Sequence, residues 1–89
     1  MSLSEQFDKA AKDVNNLKET PPQDDLLEIY GLYKQATTGD CCTDRPGIFD
    51  QKGRYKWDAW SGKKGMSQDE AKKAYIAKVE ALAASIGLK

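Results

Sequence analysis

The segment 24-DDLLEIYGLYKQATTGD-40 decides the fold that this sequence predicts. Its apolar residues recur at spacings of three and four, which predicts an amphipathic helix over residues 24–37. One side of that helix carries Leu26, Ile29, Tyr33 and Ala36, and an adjoining side carries Leu27, Tyr30 and Lys34. Leu26, Ile29 and Ala36 are expected to pack inward. The apolar and aromatic arc is therefore wide. A helix with such an arc is expected to contact two partners rather than one.

A first helix is predicted ahead of this segment. Its apolar residues recur at the same spacing and are Leu3, Phe7, Ala10, Val14 and Leu17. Ser2 followed by Glu5 has the spacing of a capping box at the start of this helix. Pro21 and Pro22 then interrupt the period, because proline cannot continue a helix.

A long connection, 38-TGDCCTDRPGIFD-50, follows the central helix. It contains the helix breakers Gly39, Pro46 and Gly47. Loops of this length are uncommon in compact proteins and are often functional. A third helix is predicted over residues 50–61 and carries Trp57 and Trp60.

The fourth predicted helix begins after Ser67, which has capping-box spacing to Glu70. Its apolar stripe consists of Ala71, Tyr75, Val79, Leu82 and Ile86, and Gly87 lies near its end. No segment shows the alternation of a strand. The sequence therefore predicts an all-α protein of four helices.

Length and charge limit the classes of function. The chain has 89 residues, which predicts a single domain over 1–89. Its 14 Lys and Arg balance 14 Asp and Glu, which argues against nucleic-acid binding, since that needs a broad positive surface. It contains no apolar run of the roughly 18 residues that a membrane span needs, and its N-terminus lacks a signal-peptide pattern. We therefore expect a cytoplasmic protein.

The sequence shows no recognisable arrangement of catalytic or metal-binding residues. It contains no His, so neither a His general base nor a Ser–His or Cys–His pair can form. Cys41 and Cys42 are neighbours, which is a poor geometry for a disulfide, and two thiols without His argue against a structural zinc site. We expect no enzyme activity, no metal and no cofactor.

The tyrosines and lysines remain as candidates for binding a small anion. Those that share helix sides or lie mid-helix are Tyr30, Tyr33, Lys34, Lys52, Lys56 and Tyr75. Lysine binds phosphate as a point charge, and tyrosine offers both a hydroxyl and a face on which a heteroaromatic ring can stack. A phosphorylated nucleotide would use both. The same pattern also fits half-buried core tyrosines, solvated lysines and core tryptophans, and spacing alone leaves both interpretations open.

The order of the fragments resembles the acyl-CoA-binding protein family, also called the diazepam-binding inhibitor family. The central segment YGLYKQATTGD at 30–40 resembles the family's Y-x-x-Y-K-Q-A-T-x-G-D signature. The other family-like fragments, in order, are FDKAAKDVNNLK at 7–18, RPG at 45–47, KGRYKWDAW at 52–60, KKGMS at 63–67 and AYIAKVE at 74–80. The similarity extends over nearly the whole chain.

The resemblance implies a four-helix up-down-down-up bundle with a long overhand loop between helices 2 and 3. It also implies the ligand, a medium- to long-chain acyl-CoA ester. The protein would be a monomeric, non-enzymatic carrier and buffer that meets acyl-CoA-using enzymes and membranes only transiently. In the family, the residues that match Tyr30, Lys34 and Lys56 bind the 3′-phosphate region of CoA. The residue matching Tyr33 packs on the adenine.

Further family positions complete the implied site. The residue matching Tyr75 closes the head-group site, and the one matching Lys52 also lies near the ligand. Leu27 is the candidate for the groove that holds the acyl chain. Asn15 is expected within the first helix, at a position where the family often has Lys, so no contact is transferred to it. The expectation is that either the affinity or its salt dependence is lower here.

A protein-interaction module is the competing class of function. A small helical bundle can dock a partner through an apolar face, and residues 35–52 resemble the region of the family from which signalling peptides are cut. A concave site lined by tyrosines and lysines would favour the ligand, whereas a flat, exposed apolar patch would favour a protein partner. An unrelated helical fragment of a larger enzyme is a third alternative, which the chain-wide resemblance disfavours.

Overall fold

A computed structural model describes residues 2–89 of the chain. These residues form four helices, α1 (Leu3–Val14), α2 (Gln23–Thr37), α3 (Gln51–Ser61) and α4 (Gln68–Ile86). Within that range the only strand-like pairing is an isolated bridge between Leu17 and Leu88. The predicted all-α fold is confirmed. None of the described helices is long and apolar enough to cross a bilayer.

Side chains cap three of the four helices. The hydroxyl of Ser2 accepts a hydrogen bond from the Glu5 N–H at 3.2 Å, and that of Ser67 accepts one from the Glu70 N–H at 3.0 Å. Both predicted caps are confirmed. Asp50 caps α3 by accepting from the Gly53 N–H at 3.0 Å. The helix therefore begins one residue after Asp50, because an N-cap residue lies outside the helical conformation.

The first helix is shorter than its apolar period predicts. It ends at Val14, and Asn15 is its C-cap residue rather than a residue within the helix. Leu17 is nevertheless buried, with 5% of its surface exposed, because the connection to α2 turns it into the core. A buried residue after a helix end can continue the helical period by coincidence, and the sequence pattern does not distinguish the two cases.

Helices α2 and α3 run in the same direction. The ammonium group of Lys56 lies over the ring of Tyr30, 5.4 Å from its centroid. One helical turn further along both helices, Lys34 lies 4.9 Å from the centroid of the Trp60 ring. Parallel helices that are consecutive in the chain need a connection long enough to return along their length. Residues 38–50 are this overhand connection, as predicted.

Helix α4 packs between α1 and α2 with opposite orientations. It is antiparallel to α2, since the Lys78 ammonium donates to Asp25 near the start of α2 and the Gln35 amide near its end donates to the Met66 carbonyl just before α4. It is parallel to α1, since Phe7 contacts Tyr75 and the later residues Leu17 and Leu88 are bridged. The predicted up-down-down-up order is confirmed.

The core lies where α1, α2 and α4 meet. Its buried members are Phe7, Ala10, Leu17, Ile29, Leu32, Ala36, Ala71, Tyr75, Val79 and Leu82. Ile29 and Ala36 pack inward as predicted. Leu26, placed on the same side by its spacing, does not, because 39% of its surface is exposed. Leu26 instead lines an open cleft between α2 and α3.

Hydrogen bonds attach the overhand loop to the helices. The indole N–H of Trp60 donates to the Gly39 carbonyl and that of Trp57 to the Thr43 carbonyl, both at 2.8 Å. The guanidinium of Arg45 makes a two-pronged contact with Asp58, at 3.1 and 2.8 Å. The two tryptophans of α3 therefore fix the loop to that helix. Of the two, only Trp60 is buried.

Asp40 holds the start of this loop against the turn between α3 and α4. Its Oδ1 atom accepts from the Gln35 side-chain amide at 2.7 Å and from the Gly65 N–H at 2.9 Å. These hydrogen bonds, that from the Gly65 N–H most of all, lower the pKa of Asp40 below its ordinary value, because they stabilise the carboxylate.

Candidate ligand-binding site

A cleft of about 490 Å³ lies between the first turns of α2 and the exposed side of α3. Its lining residues are Thr20, Pro21, Gln23, Leu26, Leu27, Tyr30, Lys52, Tyr55 and Lys56. Leu26, Leu27 and Pro21 make one wall apolar, while the two lysines stand on the opposite helix. This combination of an apolar wall with a few placed polar groups is typical of small-molecule sites, and the volume lies within their usual range.

A second hollow of about 250 Å³ adjoins the cleft. It shares Tyr30 and Lys56 with the first and is closed by Trp57, Trp60 and the loop residue Thr43, among others. The two hollows therefore meet at the Lys56–Tyr30 pair. A ligand with two parts could occupy both while its junction passes that pair.

Two lysines beside these hollows rest on aromatic rings. Lys56 lies over Tyr30 and Lys34 lies over Trp60, which lines the second hollow. Such cation–π contacts contribute about 0.5–1 kcal/mol at exposed sites. They hold the ammonium groups near the hollows in the ligand-free protein, and they are weak enough for a phosphate to replace them.

A cluster of three aromatic rings lies on the side of α2 that faces α1 and α4. Phe7 stacks on Tyr33 with ring centroids 5.6 Å apart, and Tyr75 is tilted against both, at 4.9 Å from Phe7 and 5.9 Å from Tyr33. Tyr33 keeps 41% of its surface exposed, whereas Tyr75 keeps only 2%. Burial is the main cause that raises the pKa of Tyr75 to about 12, and Tyr33 adds to it.

The structure brings together four of the seven sequence-predicted site residues. Leu27, Tyr30, Lys52 and Lys56 line one cleft. Lys34 lines neither hollow and lies over the Trp60 ring. Tyr33 and Tyr75 form the separate aromatic cluster, where Tyr33 offers an open ring and Tyr75 supports it from the core.

Sequence reasoning missed several lining residues. The helical period places Leu26 in the core, and it gives no role to Tyr55, half of whose surface is exposed. Tyr55 follows Lys52 by three residues, so the spacing that groups Lys52 with Lys56 also indicates Tyr55. Thr20, Pro21 and Gln23 carry no comparable signal, because they come from the connection before α2 and its first residue.

The cysteines and carboxylates provide no further site chemistry. Cys41 and Cys42 are both free thiols, the first buried and the second exposed. Among residues 2–89, no group of three or more His, Cys, Asp or Glu side chains is arranged to hold a metal ion.

Comparison with known proteins assigns the chain to a family. The family described as Acyl CoA binding protein has a model that matches residues 4–79. This chain belongs to the acyl-CoA-binding protein family. It is 58% identical over 89 residues to an acyl-CoA-binding protein homolog of Manduca sexta, with 99% of both chains covered. It is 54% identical over 82 residues to the acyl-CoA-binding protein of Saccharomyces cerevisiae, with 92% of this chain and 94% of that one covered.

Solved structures extend this similarity to three dimensions. The crystal structure of Oryza sativa acyl-CoA-binding protein 2 is 48% identical and superimposes with a TM-score of 0.91, covering 94% of this chain and 93% of that one. A solution structure of acyl coenzyme A binding protein from yeast is 52% identical with a TM-score of 0.75, covering 94% and 98%. The fold is therefore that of the acyl-CoA-binding proteins, as the resemblance implies.

Proposed function

We propose that this protein is a non-enzymatic, monomeric carrier and buffer of medium- to long-chain acyl-CoA esters in the cytoplasm, with one ligand site in a single domain over residues 1–89. The supporting observation is the cleft in which an apolar wall faces two lysines and opens into a second aromatic hollow. An acyl-CoA ester is an amphiphile with an anionic, aromatic head and an apolar tail, and it needs these two surfaces side by side. Acyl-CoA-using enzymes and membranes would meet the carrier only transiently.

The CoA head is assigned to the Tyr and Lys side chains. Tyr30, Lys34 and Lys56 would hold the 3′-phosphate, since both ammonium groups stand over rings and can turn towards an anion. A charge-assisted hydrogen bond contributes about 1.5–3 kcal/mol, which exceeds the cation–π contact that it replaces. The exposed ring of Tyr33 would stack on the adenine, and Tyr75 would support Tyr33 from behind.

The acyl chain is assigned to the apolar wall of the cleft. Leu27 and Leu26 line this wall, and Lys52 stands at its rim. Each buried methylene contributes at most about 0.8 kcal/mol, and ordering the chain offsets part of that gain. The thioester and the first carbons would be removed from water, which provides affinity without any covalent step.

Calorimetric titration of a ligand series tests the proposal. We expect dodecanoyl-CoA to bind at least about a hundredfold more tightly than free CoA, since about four buried methylenes already supply that ratio. Free dodecanoate lacks the head and is expected to bind poorly. Equal affinity for dodecanoate and dodecanoyl-CoA would contradict the proposal.

Lysine substitutions test the head-group assignment. Lys34→Ala and Lys56→Ala should each weaken dodecanoyl-CoA binding by more than about 1 kcal/mol. Lys73→Ala is the matched control, because Lys73 is an exposed α4 residue that lines neither hollow. If all three variants bind like the wild type, the head-group site lies elsewhere.

The protein-interaction alternative is distinguished by what the protein carries from the cell. Native mass spectrometry of freshly purified protein should show mass increments equal to those of acyl-CoA esters. A bound polypeptide without such increments would favour the interaction module instead.

A further inference from the structure

Two adjacent apolar side chains are exposed to solvent at the end of the overhand loop. Ile48 is 68% exposed and Phe49 is 101% exposed, immediately before the cap of α3. Neither lines the cleft or the second hollow. A fully exposed Phe beside a largely exposed Ile forms a small apolar patch on the surface of the described chain, and exposed apolar patches can mark protein or membrane contacts.

These two residues lie at the end of the bundle where the apolar wall of the cleft opens. Helices α2 and α3 are parallel, so the N-terminal ends of both point the same way. Lys52 shares the cleft with Leu26 of the first turn of α2, and Leu26 in turn shares a neighbouring hollow with the C-terminal Lys89. Leu26 and Leu88 are each 39% exposed. Exposed apolar side chains are therefore concentrated at this end.

The charges near Ile48 and Phe49 favour an anionic partner. The two carboxylates of α3 and its cap are already engaged, since Asp50 caps the helix and Asp58 pairs with Arg45. Lys52 and Lys56 are exposed on the same helix. An apolar tip flanked by cations is the chemistry that recognises an anionic lipid surface.

We propose that this end of the bundle docks on anionic bilayers, with Ile48 and Phe49 inserted at the headgroup level and Lys52 and Lys56 above them. This rests on the proposed function, because the apolar cleft would then open towards the bilayer and receive or release an acyl chain there. Two side chains bury far less than the roughly 800 Å² per partner of a stable protein interface. A transient membrane contact is therefore favoured over a second copy of the chain.

Vesicle sedimentation of the full-length protein tests the docking. We expect the wild type to bind phosphatidylcholine vesicles that contain phosphatidylserine, and to bind pure phosphatidylcholine weakly. The double variant Ile48→Ser/Phe49→Ser should lose about tenfold in partition, because both apolar anchors are removed. Phe49→Leu keeps an apolar anchor and should stay within about threefold of the wild type.

The same variants separate this proposal from the proposed function. All of them should bind soluble octanoyl-CoA like the wild type, since residues 48 and 49 line neither hollow. Wild-type protein that binds octanoyl-CoA but not anionic vesicles would overturn the docking alone, whereas failure to bind octanoyl-CoA would overturn the proposed function. A dimer in sedimentation velocity that the double variant abolishes, without vesicle binding, would assign the patch to a second copy and also overturn the docking.

Transfer kinetics give a second measurement. The rate at which a fluorescent acyl-CoA moves from the wild type to anionic vesicles should rise with vesicle concentration, because transfer occurs during contact. The rate for the double variant should rise about tenfold less steeply with vesicle concentration, in line with its weaker partition. An identical dependence in both proteins would contradict a role for Ile48 and Phe49.

Discussion

Replacing Gly31 with alanine would place a methyl group where α2 and α3 leave no room for it. A Cβ at this position would lie 2.5 Å from the carbonyl oxygen of Ala59 and 2.9 Å from its carbonyl carbon. Both are backbone atoms of α3, so no side-chain rotation relieves the clash. Ordinary contact begins at 3.4 Å, so the helices must separate locally by about 0.9 Å.

The expected cost follows from two opposing effects. Overpacking of a tight contact costs about 1–3 kcal/mol, and a clash with backbone belongs at the upper end of that range. Alanine stabilises a helix interior by about 1 kcal/mol relative to glycine. The net loss in the free energy of unfolding is therefore about 2 kcal/mol. For a domain of this size, that lowers the melting temperature by about 10 °C.

Urea and thermal unfolding of Gly31→Ala, followed by helical circular dichroism, test this reasoning. Gly47→Ala is the matched control, because a Cβ at Gly47 meets no atom within 4 Å and its φ lies outside the left-handed region. We expect the control to change stability by less than about 1 kcal/mol. If Gly31→Ala is as stable as Gly47→Ala, the close approach of α2 to α3 does not constrain the fold. Weaker dodecanoyl-CoA binding by Gly31→Ala is expected to accompany the separation, since the cleft is lined by residues of the same two helices.

Three further substitutions test the core, a helix cap and the hydrogen bonds by which Asp40 attaches the overhand loop. Phe7→Ala should lower the free energy of unfolding by about 3 kcal/mol, because a buried ring between two tyrosines is lost; a loss below about 1 kcal/mol in urea would refute its core role. Ser67→Ala should cost about 1 kcal/mol through the lost α4 cap, with Ser67→Asp near wild type as the control. Asp40→Asn should lower the free energy of unfolding at pH 7. Because the pKa of Asp40 is lower in the folded state than its ordinary value of 3.8, the ionised side chain stabilises the folded protein above that pH. The difference in stability between this variant and the wild type should shrink as the pH falls below that value through the folded-state pKa. A difference in urea midpoint that is the same at pH 7 and pH 3 would contradict this stabilising role of Asp40.

The positions of the helices followed from local chemistry. The apolar period, the helix-breaking prolines and the caps at Ser2 and Ser67 each involve only residues that are close together in the chain. They can therefore be recognised without knowledge of the tertiary structure. The predicted start of α2 is one residue late, because Gln23 directly follows the cap residue Pro22 and carries no apolar signal. The predicted start of α3 is one residue early, because local pattern does not separate the cap residue Asp50 from the helix.

The errors share a physical cause. Leu26 and Leu17 both fit an apolar period, but one lies on the cleft and the other beyond its helix. Burial depends on which neighbour covers a residue, and that neighbour is distant in the chain. Tyr75 was predicted at the site by resemblance, and the structure puts its ring in the core behind Tyr33. Whether it also touches a ligand stays a prediction.

The sequence by itself determined four helices, their caps, the wide arc of α2 and, through ordered family-like fragments, an acyl-CoA-binding fold. These depend on spacing and residue type along the chain. Only the tertiary structure decided that Leu26 lines a cleft, that Lys34 and Lys56 rest on aromatic rings, and that Ile48 and Phe49 are left outside. Those facts depend on the overhand connection, which brings residues far apart in the chain into contact and leaves its own end exposed.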